Sequence, residues 1–523
     1  MIPVQQLKLT NLGGGANEKV AGHLIAENQS ARFDAATYPL MNVHTNVSGS
    51  ILNRNGYSVF TGPLTIDASP DVTLTEIRGL YEYVKFSGVK HSLAIGSNGT
   101  TRRIVDISTP ATPVDITGSV TFTEDTFFDF AVCADKLIVT TEAQDKPFTW
   151  SGTGNCEEIV ETIAGSPDTY AYPPRGKYCE EFFNYAFIAN TAANPERVYW
   201  SGLFDPESWT LTDFKRLSDG CTGMARRGDH LFLFTRNSIT LCQYTGDSVN
   251  PFQFDVLDSG IGCVSNRTIK NIEGVLFWLA GDGHIYRMAG FKPERLTEAI
   301  PQTLASLNID GFDIACAEDH KELRQYWCAV TKSGSTVNDF VIAYDYFNNE
   351  IFLYQGMNIL CLANFADSQG AVKTYFGDNT GRIMLTNSGN ADYLAGTKTA
   401  IEWWKFTKHF DMGNPATTKR IRRLKVTANN AGNYTSQCAV LGDFGTTGGT
   451  SVTVTHNGGG DLLGSTWVLG TSRLGRVSGI TSRQDLGFNA KYIQLKFSGN
   501  AFDQPVEIKD AELMFQDYDQ DRF

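Results

Sequence analysis

The chain has 523 residues, with 44 Lys and Arg against 57 Asp and Glu, so its formal charge of -13 lacks the cationic surplus of a general nucleic-acid binder. A hydrophobic content of 41%, with 12% aromatic and 19% charged residues and 50 glycines, is globular composition with many tight turns and excludes a disordered chain. The length exceeds what one hydrophobic core usually serves, which predicts one large repetitive domain and a smaller one.

The N-terminus, MIPVQQLKLTNLGGG, has no basic stretch followed by a continuous apolar one, and no run in the chain approaches membrane-spanning length. Neither an export signal nor a membrane-spanning segment is expected. Residues 1–45, with Gly13-Gly14-Gly15 and few apolar repeats, read as an extended arm that must be tied to something to be ordered.

From residue 46 to residue 400 the predicted architecture is a β-propeller. A short apolar strand, a Gly-, Asn- or Asp-rich turn and a second aromatic-containing strand recur in hairpin grammar. The instances begin at Ser92, Lys136, Tyr185, His230, Val275, Trp327 and Thr374. Their spacing of about 45 to 50 residues is the period of four-stranded blades, about seven of them. Runs such as Leu231 to Phe234 and Val275 to Ala280 are continuously apolar, as strands buried on both faces must be. A long sandwich or a β-helix is the competing architecture, but a solenoid needs a shorter and stricter repeat. The best helical signal runs from about Arg295 to Leu307, interrupted by Pro301, and is expected to link two blades.

Residues 401–523 change texture to longer alternating strands: IEWWKFTKHFDM, RIRRLKVTA, SQCAVLGDF, TSVTVTH, STWVLG, KYIQLKFSG and VEIKDAELMF. They predict a C-terminal antiparallel β-sandwich, with Gly458-Gly459-Gly460 as one of its turns. The strongest basic run, Lys419, Arg420, Arg422, Arg423 and Lys425, lies on one of these strands and charges both of its faces. A solvated strand is the default reading. In an acidic protein the run is also a candidate patch for meeting an acidic neighbouring subunit or DNA, and a protein contact is favoured.

Catalytic grammar is missing: no HExxH, GxSxG, P-loop or strand-linked GxGxxG occurs, so no catalytic, metal or cofactor site is assigned and the chain reads as a non-enzyme. The ten cysteines, with no CxxC pair, read as small buried residues of a chain folded under reducing conditions. The eight histidines are scattered singly and read as surface or turn residues. Asp282 and Asp378 sit in hairpin turns, where Asp is expected for backbone reasons, although a propeller glycosidase would need paired carboxylates at its central mouth.

A resemblance then adds to these readings. Arg197-Val198-Tyr199-Trp200-Ser201-Gly202-Leu203-Phe204-Asp205-Pro206-Glu207-Ser208-Trp209 resembles the "tyrosine, serine, Asp-Pro, aromatic" element of the tail nozzle, or packaged-DNA stabilisation, proteins of short-tailed bacteriophages. Pro251-Phe252, Phe277-Trp278-Leu279, Gly281-Asp282-Gly283-His284-Ile285-Tyr286-Arg287 and Gly290-Phe291-Lys292-Pro293 follow in the family's order, and Asn53-Arg54-Asn55-Gly56-Tyr57 is similar to its opening Arg-x-Gly. The resemblance spans roughly residues 180 to 360 and rests on structural residues, so no ligand-binding residue is carried over. It implies a homohexameric ring in the phage tail, assembled in the host cytoplasm below the head-to-tail adaptor ring. Such a ring continues the channel for viral double-stranded DNA, retains the packaged genome and offers sites to tail fibres or tailspikes. Acidic channel walls would let phosphates slide. The rival reading from another class is a glycan-binding or glycan-cleaving propeller at the host cell surface.

Overall fold

A computed structural model describes residues 4–46, 48–66, 71–123, 127–142, 144–159, 173–394, 396–429, 434–445, 447–456 and 480–518. Among these residues the chain is almost entirely β, and its middle forms seven four-stranded antiparallel sheets. Each hairpin singled out in the sequence supplies the two middle strands of one sheet, as His230–Thr235 and Ile239–Tyr244 do in sheet four. These strands are buried on both faces, whereas the fourth strand of the same sheet, Phe252–Asp258, is largely exposed. The continuous apolar runs therefore mark the interior of a stack of sheets.

The first strands are Glu76–Val84, Phe128–Cys133, Gly176–Phe182, Cys221–Arg227, Lys270–Ile272, Cys316–His320 and Cys361–Ala366. Each lies beside the next, and the seventh returns to the first. A closed ring of twisted sheets meeting at their first strands is a β-propeller.

Closure is made by a strand from far away in the sequence. Sheet seven has only three strands from its own repeat, and Ser58–Thr61 completes it by pairing with Ile383–Leu385. The preceding Gly56 is pressed against the chain at Ala391, where a Cβ would stand 1.9 Å from the carbonyl oxygen. The helical signal near residue 300 is present as a 3-10 turn, Thr297–Ala299, and a short α-helix, Pro301–Ala305, that joins sheets five and six with Pro301 at its first position.

The C-terminal strands form a five-stranded and a six-stranded sheet. Val426, Phe515, Val440 and Phe497 from both sheets share one apolar cluster, which continues through Leu40 and Trp403 to Tyr354 and Phe340 of sheet six. STWVLG and Gly458-Gly459-Gly460 lie outside the described residues. The strand Ile480–Ala490, which the sequence did not suggest, forms an edge of the six-stranded sheet.

What ties the N-terminal segment down is also clear. Gln5–Leu9 pairs with Glu507–Tyr518, and Leu40–Met41 pairs with Trp403–Phe406. Between them, Gly14 and Gly15 thread a space with no room for a side chain, since a Cβ on Gly15 would stand 2.6 Å from the Ile351 backbone. Glu18 and Arg32 form a buried pair at 2.6 Å, and Glu18 accepts hydrogen bonds from the backbone and hydroxyl of Thr303. All ten cysteines are buried, as their apolar surroundings predicted.

Candidate functional site

The first strands enclose a cup with a volume of about 450 Å³ at the centre of the propeller. Its floor is built by Arg267, which precedes the first strand of sheet five. The guanidinium donates to the carbonyls of Ile314 (2.5 Å) and Leu360 (2.8 Å), just before the first strands of sheets six and seven. It also lies 3.9 Å over the ring of Phe127, just before the first strand of sheet two. One side chain thus spans the ring, and a cavity of about 40 Å³ lies beyond it. Among the described residues Arg267 and Phe127 close this end of the cup.

Asp129 reinforces the floor. Its Oδ2 accepts from the backbone N–H of Cys179 (3.0 Å) and from Asn266 Nδ2 (2.7 Å), linking sheets two, three and five. Burial pushes its carboxyl up to about 6 despite these donors. Glu180 also faces the cup and accepts only the N–H of Glu181 among the described contacts of its carboxyl. Burial, followed by the charges of Asp129 and Glu181, pushes Glu180 up to about 8, so that at neutral pH it is a protonated acid beside a carboxylate.

The wall continues with Lys270 paired to Glu318 at 2.9 Å and with Asn364, whose Nδ2 donates to Glu318 (3.3 Å). Arg226 pairs with Glu181, and Glu82 accepts the N–H of Ala366 at 2.7 Å. Tyr81 and Phe130 stack on each other at 4.8 Å. The cup can therefore donate and accept hydrogen bonds on all sides and holds a neutral acid next to an ionised one. None of these residues was singled out from the sequence. The one signal was a carboxylate within a first strand: Asp129 in the otherwise apolar FDFAVC, Glu180 in KYCEEF and Glu318 in CAEDH, the last two carrying further charged residues that hide it.

The residues that were singled out stand elsewhere. Asp282 accepts the N–H of His284 (3.0 Å), and Asp378 accepts those of Thr380 (2.9 Å) and Arg382 (2.8 Å), so both fix hairpin turns. The histidines need a correction: His320, His409 and His456 are buried rather than at the surface, packed against Trp327, Phe444 and Tyr434. Burial pushes His320 down to about 4, which keeps it neutral. Among the described residues no three His, Cys, Asp or Glu side chains converge as metal ligands.

The basic run lies on Thr418–Ala428, in the interior of the six-stranded sheet. Lys419 does not belong to an exposed patch. It is buried, and its ammonium donates to the carbonyls of Asp411 (2.7 Å) and Asn414. A bulge between Ile421 and Arg423 breaks the alternation and turns both Arg422 and Arg423 outward. Arg420 is exposed, Arg422 donates to Gln516 (2.9 Å), Arg423 pairs with Asp485 (2.5 Å) and Lys425 pairs with Glu512 (3.3 Å).

No protein-family model matches this chain, and no curated protein matches it. Among solved structures it is similar to Hsv2 of Kluyveromyces lactis, at 11% identity and a TM-score of 0.30, over 47% of this chain and 69% of that one. It is similar to Hsv2 of K. marxianus at 10% identity and a TM-score of 0.31, over 48% and 72%. The architecture described above rests on the strand pairing of this chain itself.

Proposed function

We propose that this chain is a structural, non-enzymatic virion protein of a short-tailed bacteriophage: a seven-bladed propeller with a C-terminal sandwich that assembles as a homohexameric tail nozzle ring. In this reading the ring docks below the head-to-tail adaptor, carries tail fibres or tailspikes, retains the packaged genome and passes double-stranded DNA during ejection. The blind cup makes a passage through one subunit impossible for a duplex, so the channel runs between subunits.

The observation that carries the reading is that one chain exposes a basic strand and, elsewhere, acidic residues among apolar ones. The bulged strand presents Arg420, Arg422 and Arg423, while sheets three and four expose Asp205, Asp247 and Asp255 beside Leu203, Phe204, Val249 and Val256. Val249 is 80% exposed and Val256 71%. Two different surfaces of opposite charge can meet head to tail, and such contacts close into a ring when the rotation between neighbours closes and grow into filaments when it does not. The resemblance of Arg197 to Trp209 and of the strands that follow supplies the identity of that ring.

The test is electron microscopy of the purified protein, alone and mixed with capsid–adaptor particles. A sixfold ring with a through-channel is the expected result. Arg420→Glu/Arg422→Glu/Arg423→Glu should abolish the ring, and Asp205→Lys/Asp247→Lys/Asp255→Lys in the same chain should restore it. A protein that stays monomeric and never docks would overturn the proposal.

A further inference from the structure

The cup is more than a plugged channel. A propeller centre that served only as packing would be filled by apolar side chains, at the least cost in desolvation. Here the centre keeps about 450 Å³ of space, within the range of about 300–1,000 Å³ that small-molecule sites occupy. Charged side chains project into it from separate sheets, and nothing in the ring reading uses them.

The chemistry of the wall selects a class of ligand. Four carboxyl groups, Glu82, Asp129, Glu180 and Glu318, of which Glu180 keeps its proton, face four cations, Arg78, Arg226, Arg267 and Lys270, so charges of both signs line the cup. The Lys270–Glu318 pair and the cup-facing Asn364 offer donors and acceptors together within one wall. An anion or a cation entering such a site meets repulsion from side chains of its own sign as well as attraction to the others. A neutral molecule carrying many hydroxyls meets neither, because each hydroxyl both donates and accepts and can bridge a carboxylate to an ammonium or guanidinium. The blind floor at Arg267 admits a chain end or a single ring, never a polymer passing through.

We propose that the central cup is a binding site for an uncharged sugar residue, whose hydroxyls donate to Glu318 and accept from Glu180, Lys270, Arg226 and Asn364. Glu180, kept protonated by its surroundings, donates a hydrogen bond that an ionised carboxylate cannot make. The site assigns a small-molecule role to the propeller that is independent of ring assembly, so a ring without sugar binding, or sugar binding without a ring, is a readable result.

The experiment is saturation-transfer difference NMR on the full chain with the methyl glycosides of glucose, galactose, mannose, rhamnose and N-acetylglucosamine, and with glucuronic acid as the charged control. At least one neutral glycoside should receive saturation with a millimolar dissociation constant, and glucuronic acid should bind at least tenfold more weakly. Glu318→Gln and Asn364→Ala should each weaken binding tenfold or more while the melting curve stays that of the native protein, and two separate variants guard against a folding defect in one. Absence of transfer to every neutral glycoside, transfer that survives both substitutions, or tighter binding of glucuronic acid would each overturn the proposal.

Discussion

Arg54 offers the sharpest test of how the propeller is closed. Its guanidinium grips both carboxylate oxygens of Asp392, at 2.9 and 2.7 Å, and also meets Asn42 Oδ1 (3.2 Å) and the carbonyls of Asn55 (2.9 Å) and Gln355 (3.2 Å). The side chains are 3% and 6% exposed. Burial raises the Asp392 pKa, and Arg54 is what opposes that rise. Arg54→Ala leaves this carboxylate buried without its cation, which costs about 3–5 kcal/mol, and it strips a donor from two carbonyls. Four residues later the chain enters Ser58–Thr61, the strand that completes sheet seven, so the loss should appear there first. Hydrogen–deuterium exchange of that strand reports local opening, and 3–5 kcal/mol corresponds to exchange faster by about two to three and a half powers of ten. Arg54→Met/Asp392→Leu, which leaves no orphan charge, should lose much less. Exchange in Arg54→Ala within threefold of the parent protein would refute the argument that this pair holds the closure.

Gly56→Ala should fail for a steric reason, since a Cβ would stand 1.9 Å from the Ala391 carbonyl and both partners are backbone; a thermal melt within a degree of the parent would contradict this. Lys405 is buried, donates to the Gly14 carbonyl and is pushed down to about 7 by burial, with the charge of Glu350 opposing. Below pH 7 both folded and unfolded chains carry its proton. Between 7 and its ordinary value of 10.5 only the unfolded chain does, so stability should rise across that window, by on the order of 5 kcal/mol from this group. Lys405→Met should flatten that rise in denaturant midpoints taken from pH 6.5 to 9.5, and an unchanged slope would count against it. Glu180 acts with the opposite sign: held up at about 8, it keeps its proton in the folded chain longer than in the unfolded one, so its contribution is lost as pH rises from 4.5 through 8. Glu180→Gln should therefore gain stability over the parent at pH 9 and little at pH 4.5.

The parts of the fold that could be read from the sequence are those encoded locally. A hairpin is a contiguous pattern, and all seven hairpins, from Ser92 to Thr374, became the middle strands of separate sheets. The closing strand Ser58–Thr61 pairs across more than three hundred residues with Ile383–Leu385, and its four residues carry no pattern that names that partner. The same holds for Gln5–Leu9, whose partner is the last described strand. Ile480–Ala490 escaped because an edge strand need not be apolar: its ITSRQDLGFNA sequence buries only Leu486 and Ala490. Lys419 was misjudged because the run of cations was read as one solvated patch on both strand faces, and no residue type in KRIRRLK announces that position 419 faces inward or that a bulge follows it. The cup was invisible for a further reason, since its lining comes from seven strands that are neighbours only once the ring closes.

Closure of the ring also locates the acidity. The chain carries a charge of -13, yet its central cup sets four cations against four carboxyls, one of them, Glu180, protonated. The surplus must lie on the outside, and exposed Asp205, Asp219, Asp229, Asp247 and Asp255 place part of it on sheets three and four. A duplex that cannot enter the cup can meet only such outer walls. In the proposed ring, acidic residues at the edge of one subunit would attract the Arg420–Arg423 strand of the next where the two touch, and would repel phosphates where they face the lumen. Both effects are screened by salt over about 8–10 Å. Neutralising Asp205, Asp247 and Asp255 would therefore loosen the ring if they sit at the contact, and would slow DNA if they line the channel. One set of side chains thus reports which side of sheets three and four is turned inward.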